Sequence, residues 1–494
     1  MRVAISTFGC RLNQFDSDAL ERLLERAGHE VVAAGAQADV HVINTCTITH
    51  AADADVRKLA RRSVRRHPKT PLVVTGCYAN AEPHKASELP GVRLVLGNAD
   101  KARLPDVLAA WENAGHSAAG APHAAAGRES SSARTDAAAD TSPLNPAGQP
   151  RTSQQFARGA NLLDAHRAAN ARVAVSRFAK RPEFDVALRA APAPRRTRAY
   201  LKVQDGCNYR CAFCIVPHVR GNSRSLPPEQ VVEQLQELVH AGMPEVVLTG
   251  VHLGTYGRDL AGKPPFSTLV ETLLAHLGAA RLRLSSLDPH EVDTKLIGLF
   301  RHQPDKLCRH LHLPTQSGHT PLLRRMRRGH TAEDFERLVS RLAAEHPHMA
   351  MGTDLIVGHP GESEASFAAT YDLMARLPIA YLHVFSYSPR DNTAAAEMPD
   401  QVPEAAKRQR SAAMRALSKA KQRAFAEHCQ TRPQPALVLQ QRDPSKPARA
   451  LTDNYLHVEL VDPPKDMTPW VGTWHYVQLE DVTDNGRIYG RLTA

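Results

Sequence analysis

The chain lacks long hydrophobic runs, a strongly apolar N-terminal segment and a high content of cysteine. Each of these absences excludes a class of protein. No stretch approaches the roughly 18 consecutive apolar residues that a transmembrane helix needs. The apolar run within residues 1–7 is too short for the core of a signal peptide. Eight cysteines among 494 residues do not make a disulfide framework. We therefore expect a protein of the reducing cytoplasm with no membrane partner.

Acidic residues are also fewer than basic ones. The chain has 62 Lys and Arg against 51 Asp and Glu, which gives a net charge of +11. Such a surplus indicates an anionic partner such as nucleic acid, although a solvated basic surface would give the same count. Two basic stretches, residues 324–328 and 407–423, are candidates for phosphate contacts. The length predicts several domains.

Three of the cysteines lie close together, at Cys207, Cys211 and Cys214, with the spacing C-x3-C-x2-C. An iron–sulfur cube is normally held by four thiolates, so three would leave one iron open to a small chelating molecule. A structural zinc site is the alternative, but zinc usually needs a second pair of Cys or His ligands, and none follows here. The spacing therefore favours a cluster with an open iron.

Residues 1–114 alternate apolar strands with helical stretches, which predicts a parallel sheet with crossover helices. The predicted strands span residues 3–6, 40–43, 72–75 and 92–96. Cys10, Cys46 and Cys77 follow the first three of these strands. Since the carboxyl ends of parallel strands share one edge, where ligands bind, we expect these cysteines to converge on a metal site. Each could instead be an ordinary buried cysteine, but three in the same position favour the metal.

Residues 115–194 have a different composition, rich in Ala, Ser, Pro, Gly and Arg and poor in aromatic residues. This composition predicts a low-complexity insert or linker. Within it, Ala and Arg favour a weak helix over roughly residues 154–180.

Strands and helices alternate again in residues 195–425, and the predicted strands span 199–204, 245–249, 281–285, 309–313, 351–357 and 381–385. Six such units predict a partial (β/α) barrel, whose active site lies at the carboxyl edge of the strands. The three-cysteine loop follows the first strand, as this rule requires. Gly250, Ser285 and Gln316 follow later strands, and we expect them to line a cofactor pocket.

A long basic helix is predicted from residue 401 to 429, and the remaining domain, residues 426–494, has strand-like patches. These patches span residues 436–439, 455–460, 474–479 and 486–492. Turn residues separate them, which predicts a small β-barrel.

Short motifs along nearly the whole chain, apart from the insert, resemble the methylthiotransferases, a family of radical S-adenosylmethionine (SAM) enzymes. In the N-terminal domain they are residues 9–14 (GCRLNQ), 43–47 (INTCT) and 75–79 (TGCYA). Further on they are residues 204–208 (QDGCN), 248–254 (LTGVHLG), 284–288 (LSSLD), 310–318 (HLHLPTQSG), 354–362 (DLIVGHPGE) and 383–388 (HVFSYS).

The resemblance implies two [4Fe–4S] clusters and SAM as cofactors. Cys207, Cys211 and Cys214 would hold the cluster that binds and cleaves SAM. Cys10, Cys46 and Cys77 would hold a second cluster that carries or donates sulfur. The C-terminal barrel would be the RNA-binding TRAM domain of the family. A low-potential electron donor would be needed, and the oligomeric state stays open.

Residues 204–206 and 252–257 are most similar to the branch that adds a methylthio group to C2 of threonylcarbamoyladenosine, beside the anticodon of tRNA. Two sister branches are the alternatives: one acts on isopentenyl-adenosine in tRNA and the other on an aspartate of a ribosomal protein. A non-catalytic RNA-binding iron–sulfur protein is a further alternative, against which the six intact cysteines argue.

Overall fold

The structure is a computed structural model, and it describes residues 1–113, 172–176, 184–192, 196–441, 443, 445–464 and 466–493. No helix in these ranges is long and apolar enough to cross a membrane. The chain divides into two compact units. The first comprises Met1–Phe8, Leu20–Thr47 and Ala51–Arg177, and the second comprises Gly9–Ala19, Ile48–His50 and Phe178–Ala494.

The first unit is built on a parallel sheet. Its strands are β1 (Arg2–Thr7), β2 (Glu30–Val32), β3 (Val40–Thr45), β4 (Leu72–Gly76), β5 (Val92–Leu96) and β6 (Arg172–Ala174). They lie in the order β2-β1-β3-β4-β5-β6, and every pair is parallel. Every residue of β3 and β4 is buried, as expected for central strands covered on both faces. The predicted parallel α/β sheet is confirmed.

The helices of this part of the chain connect successive strands. They are α1 (Arg11–Arg26), α2 (His50–Arg66), α3 (Cys77–Ala81), α4 (Pro83–Ser87) and α5 (Leu104–Asn113).

Two stretches differ from the linker predicted for residues 115–194. Arg172–Ala174 form β6, which pairs with β5, and not the weak helix that composition favoured; residues 154–171 and 177–180 of that predicted helix lie outside the described residues. Residues 184–192 belong to the second unit, where Phe184 and Leu188 are buried. The backbone N–H of Ala190 donates to Gln234 Oε1 at 2.8 Å. Short apolar alternation thus overrides the surrounding composition, because packing against an existing sheet or helix offsets the ordering entropy.

The centre of the second unit contains β7 (Ala199–Asp205), β8 (Arg224–Ser225), β9 (Glu245–Gly250), β10 (Arg281–Leu284), β11 (His310–His312), β12 (Ala350–Val357) and β13 (Tyr381–Ser386). They form two sheets, ordered β10-β9-β7-β8 and β11-β12-β13. Isolated parallel bridges, including Ser286 with His312, join the two sheets between β10 and β11. All strand pairs are parallel except β7 with β8. The six predicted strands of the partial barrel are therefore confirmed, with β8 as an addition.

The helices of the second unit lie between these strands and after them. They are α6 (Val216–Arg220), α7 (Pro228–His240), α8 (Phe266–Ala275), α9 (Thr294–His302), α10 (Thr320–Arg325), α11 (Ala332–Glu345), α12 (Glu364–Arg376), α13 (Ala394–Glu397) and α14 (Glu404–Cys429). The last is the predicted long basic helix.

The chain ends in a closed five-stranded barrel, as the strand-like patches predicted. Its strands are β14 (Gln434–Val438), β15 (Arg449–Thr452), β16 (His457–Leu460), β17 (Trp474–Val482) and β18 (Ile488–Thr493), in the order β14-β15-β16-β18-β17. The turn after β15 contacts the larger barrel. There Arg283 Nη1 donates to the carbonyl of Asp453 at 2.8 Å, and Arg309 Nε donates to the Asp453 carboxylate at 2.6 Å.

Candidate active site

The three-cysteine loop leaves β7 through a tight turn. Gly206 has φ 72°, and a Cβ at this position would lie 2.0 Å from the carbonyl oxygen of Asn222. Only glycine fits this conformation and this close approach. The N–H of Cys207 donates to the carbonyl of Gly221 at 3.0 Å, and the N–H of Cys214 donates to the carbonyl of Cys211 at 3.1 Å. The loop is therefore closed on itself and against the segment after α6.

The thiols of this loop lie close enough to interact. Burial raises the pKa of the Cys214 thiol to about 12, and Cys211 and Cys207 add to this increase. Burial also raises the pKa of Cys211. Thiols that lie together in one loop are the expected ligands of a metal ion, which displaces their protons when it binds. The donor set fits a [4Fe–4S] cluster held by three thiolates.

Charged side chains surround the sulfur atoms. Arg328 Nη1 donates to Cys211 Sγ at 3.6 Å, and the same guanidinium pairs with Asp288. Nδ1 of His252 lies 3.5 Å from Cys207 Sγ, and its Nε2 lies 2.8 Å from Glu291. Burial opposes protonation of this imidazole, but Cys207 and Glu291 together raise the pKa of His252 to about 9. Hydrogen bonds to the ligand sulfurs are one means by which a protein tunes a cluster.

Some cations of the two basic stretches are buried in ion pairs, whereas others, such as Arg324 and Arg408, are exposed, so contact of these stretches with phosphates stays a prediction. The side chain of Arg328 is 8% exposed and contacts Asp288 and Cys211. In the second stretch, Lys407 and Arg410 are also buried, and Arg410 pairs with Glu362 at 2.7 Å. These three cations bind side chains of their own unit. Charge runs in sequence do not reveal the pairs of Arg328 and Arg410, because their partners Asp288 and Glu362 lie 40 and 48 residues away.

The three strand-end residues predicted to line the cofactor pocket occur at the expected edge. Gly250 ends β9, and a Cβ there would lie 3.0 Å from Gln204 Oε1. Ser285 follows β10, where its N–H donates to the carbonyl of Leu248 at 3.0 Å. Gln316 has φ 75° and bridges to Leu355. Their contact with SAM stays a prediction.

Gln204 is a site residue that no strand-end rule identified. Its Oε1 accepts from the N–H of His252 at 2.8 Å. Its Nε2 donates to the carbonyl of Gly206 at 2.7 Å and to Ser223 Oγ at 2.9 Å. One buried amide thus joins the cysteine loop to the segments after β9 and before β8. The signal in sequence was its place in the motif of residues 204–208.

A buried network of two cations and two anions surrounds the end of β7. Lys202 Nζ donates to Asp16 at 2.9 Å and to Asp205 at 3.2 Å. Arg220 donates to Asp16 at 3.0 Å and to Asp205 at 3.1 Å. Burial alone would raise the pKa of Asp205, but Arg220 and Lys202 hold it well below its usual range. The network fixes the start of α1 against the strand that leads into Cys207.

In the first unit, Cys46 directly follows β3 and Cys77 directly follows β4. The last residues of these strands, Thr45 and Gly76, are register partners. Gly76 has φ 102°, and a Cβ there would lie 2.4 Å from the carbonyl oxygen of Thr45. The two cysteines therefore lie at the same edge of the sheet, directly after two adjacent strands, and both are buried. Asn98 Nδ2 donates to Cys77 Sγ at 3.7 Å.

Cys10 is the third residue after β1 and is exposed. Because β1 is parallel to β3 and β4, all three of these cysteines follow the carboxyl ends of parallel strands. The residue types fit a three-thiolate cluster. Their joint binding of a metal stays a prediction.

Comparison with protein families gives two matches. The family described as "Uncharacterized protein family UPF0004" matches residues 2–97, and the "Radical SAM superfamily" matches residues 201–374. The second match spans the three-cysteine loop and most of the partial barrel.

Curated relatives match over most of their length. The threonylcarbamoyladenosine tRNA methylthiotransferase MtaB of Aquifex aeolicus is 34% identical over 93% of this chain and 96% of the relative. The protein of the same name from Bacillus subtilis is 36% identical over 84% of this chain and 80% of the relative. Among solved structures, the radical SAM methyltransferase TsrM of Kitasatospora setae aligns with a TM-score of 0.52 at 16% identity, over 80% of this chain and 77% of that chain. This likeness concerns the fold.

Proposed function

The chain belongs to the methylthiotransferase family of radical SAM enzymes, and on that premise we propose that it adds a methylthio group to C2 of threonylcarbamoyladenosine in tRNA. The observation that carries this proposal is the closed three-cysteine loop at the carboxyl edge of a partial barrel, in a chain whose relatives of that activity align over most of their length. The resemblance in sequence and the family assignment agree.

The protein's own residues hold and adjust the reactive centre. Cys207, Cys211 and Cys214 would ligate the first [4Fe–4S] cluster. When bound, this cluster and SAM supply one-electron cleavage chemistry, which suits a ring carbon that does not react with nucleophiles. Arg328 donates to the sulfur of Cys211 and brings positive charge to the ligand set, and Nδ1 of His252 lies within hydrogen-bond distance of the Cys207 sulfur.

The second cluster of the proposal takes Cys10, Cys46 and Cys77 as ligands and supplies the sulfur. The support is their shared position after parallel strands and the close approach of the β3 and β4 ends. Asn98 would adjust this cluster through its hydrogen bond to Cys77.

The proposed partners are tRNA and a low-potential electron donor in the cytoplasm. The C-terminal barrel is proposed to bind RNA, as the TRAM domain of the family does. It presents a half-exposed aromatic ring, Tyr476, and exposed aromatic side chains are stacking platforms for unpaired bases. The basic surplus of the chain supports binding to an RNA backbone.

One experiment tests the substrate assignment. Reconstituted enzyme, SAM and a strong reductant are incubated with tRNA that carries threonylcarbamoyladenosine, or with tRNA that carries isopentenyl-adenosine, and the nucleosides are measured by mass spectrometry. We expect the methylthio product only from the first tRNA. Product from the second would assign the chain to a sister branch, whose members also align with this chain. SAM cleavage without either product would reject the tRNA substrate.

A further inference from the structure

Three polar side chains lie together on one face of the sheet β11-β12-β13, outside the cysteine loop. Asp354 is the register partner of His383. His312 is the register partner of Gly352, and Gly352 precedes Asp354 by two residues on β12. All three side chains therefore project from the same face of the sheet. His312 Nε2 lies 2.9 Å from Asp354 Oδ1, and His383 Nδ1 lies 3.3 Å from the same oxygen. The three candidate ligand atoms all lie within 4.8 Å of one another.

We propose that His312, Asp354 and His383 form a binding site for a divalent first-row transition-metal ion such as zinc. Two imidazoles and one carboxylate are a common ligand set for such ions, and they leave further positions open. Ligand atoms about 2.0–2.1 Å from a zinc ion are about 2.9 Å apart at a right angle and about 3.4 Å apart at the tetrahedral angle. The observed separations of 2.9 and 3.3 Å therefore already correspond to the edges of a coordination polyhedron.

The charge at Asp354 is available to a cation. Among the described residues, the ion-pair partners of this carboxylate are the two histidines, and no lysine or arginine there pairs with it.

An outer contact orients one of the imidazoles. Tyr381 Oη lies 3.2 Å from His312 Nδ1 and 2.8 Å from His310 Nε2. The ring is fixed over Gly352, where a Cβ would lie 2.0 Å from Tyr381 Cζ. Histidine ligands usually donate their second ring N–H to a neighbouring acceptor. If Nδ1–H of His312 donates to Tyr381, then Nε2 carries the lone pair that faces the metal.

A second group of similar composition, Asp288, His290 and His330, does not support the same proposal. The guanidinium of Arg328 pairs with Asp288, so this carboxylate already has a positive charge beside it and does not need a metal ion to supply one. The same guanidinium donates to Cys211, so this group belongs to the surroundings of the cysteine loop.

The proposed metal site is open to exogenous ligands. The side chain of His383 is 54% exposed. A cavity of about 230 Å³ is lined by His383 and Tyr381, together with Tyr455 and His457 from the C-terminal barrel. A metal ion held by three side chains could therefore complete its coordination with water or with an oxygen atom of a bound substrate.

The test uses the full chain with its clusters loaded, dialysed to equilibrium against zinc, with iron and zinc measured in the same sample. We expect the wild type to bind one zinc ion per chain in addition to its iron. His383→Ala and Asp354→Asn should weaken zinc binding by at least about 100-fold, and Tyr381→Phe by about 10-fold, the usual range for an outer contact. His240→Ala, at the exposed end of α7, is the matched control and should bind as the wild type does.

Two outcomes would overturn the proposal. One is a wild type that takes up no zinc at full cluster loading, and the other is equal zinc binding by the wild type, His383→Ala and Asp354→Asn. Unchanged iron content in the variants shows that they are folded. Zinc held by thiols would instead be lost when the loop cysteines are replaced by alanine, whereas zinc at the proposed site would remain.

Discussion

Removal of Asp16 tests the buried network at the end of β7. Asp16 and Lys202 are each 2% exposed, and with Asp205 and Arg220 they form a neutral set of two cations and two anions. Asp16→Asn would leave one positive charge uncompensated in the interior. Breaking a buried ion pair in this way costs about 3–5 kcal/mol. We therefore expect the free energy of unfolding of the second unit to fall by that amount.

The double variant Asp16→Asn/Lys202→Met distinguishes the effect of charge balance on stability from the effect of lost packing. Lys202→Met keeps most of the side-chain volume beside Phe15 but leaves one negative charge uncompensated. In Asp16→Asn/Lys202→Met the remaining pair, Asp205 and Arg220, is neutral again. We expect the loss of unfolding free energy in the double variant to be smaller than the sum of the losses in the two single variants. The difference should be about 2–3 kcal/mol, which is the upper range for neighbouring residues that interact.

The assay is anaerobic urea unfolding of cluster-loaded protein. The chain has three tryptophans, and only Trp111 lies in the first unit. In a Trp111→Phe background, fluorescence therefore reports on the second unit. Glu427→Gln is the control, because its partner Arg423 is exposed and an exposed pair contributes little. A single variant Asp16→Asn as stable as the wild type, or strictly additive effects in the double variant, would refute the charge-balance reasoning.

Three further predictions concern the clusters and the insert. The reconstituted wild type should contain about eight irons per chain, and alanine at all three loop cysteines should leave about four and abolish SAM cleavage, which iron analysis and detection of 5′-deoxyadenosine would check. Gly206→Ala should likewise lose about four irons, because its Cβ would meet the backbone of Asn222; full iron content would contradict this reading. Deletion of residues 115–170 should preserve both clusters and SAM cleavage, whereas deletion of 115–194 should lower the melting temperature, because it removes β6 and the packed segment at 184–192. Equal melting temperatures for the two deletions would show that these stretches contribute nothing.

The sequence predicted the parts of the fold and site whose signal is local. The loop cysteines lie within eight residues, so their spacing alone indicates a three-thiolate cluster. Apolar or alternating segments predicted β3, β4 and most of the barrel strands, and the three-residue β11 lies inside a longer predicted segment, residues 309–313. The strands β2 and β6 have three residues each, too few for a periodic pattern to be distinguished from chance.

The rest of the site depends on contacts between distant segments. Lys202 and Asp16 are 186 residues apart, and Arg328 lies 117 residues from Cys211. In sequence, Arg328 is one member of a basic run, and that run predicts a solvated or phosphate-binding surface. Its actual role follows from burial beside Asp288, which only the folded chain reveals. The same holds for His312 and His383, which share a face only because β12 lies between their strands.

The buried network also joins the two ends of the cysteine loop. Asp205 precedes Cys207 by two residues, and Arg220 belongs to α6, which begins two residues after Cys214. The ion pair between Asp205 and Arg220 therefore joins the two ends of the loop. Lys202 and Asp16 each pair with one member of that ion pair and together add one charge of each sign, so the four side chains together carry no net charge. Ion pairs that close the loop offset part of the conformational entropy lost when the loop becomes ordered, so metal binding has to supply less of that free energy. Weakening the network should therefore lower cluster affinity as well as stability, even though none of its four side chains is a ligand.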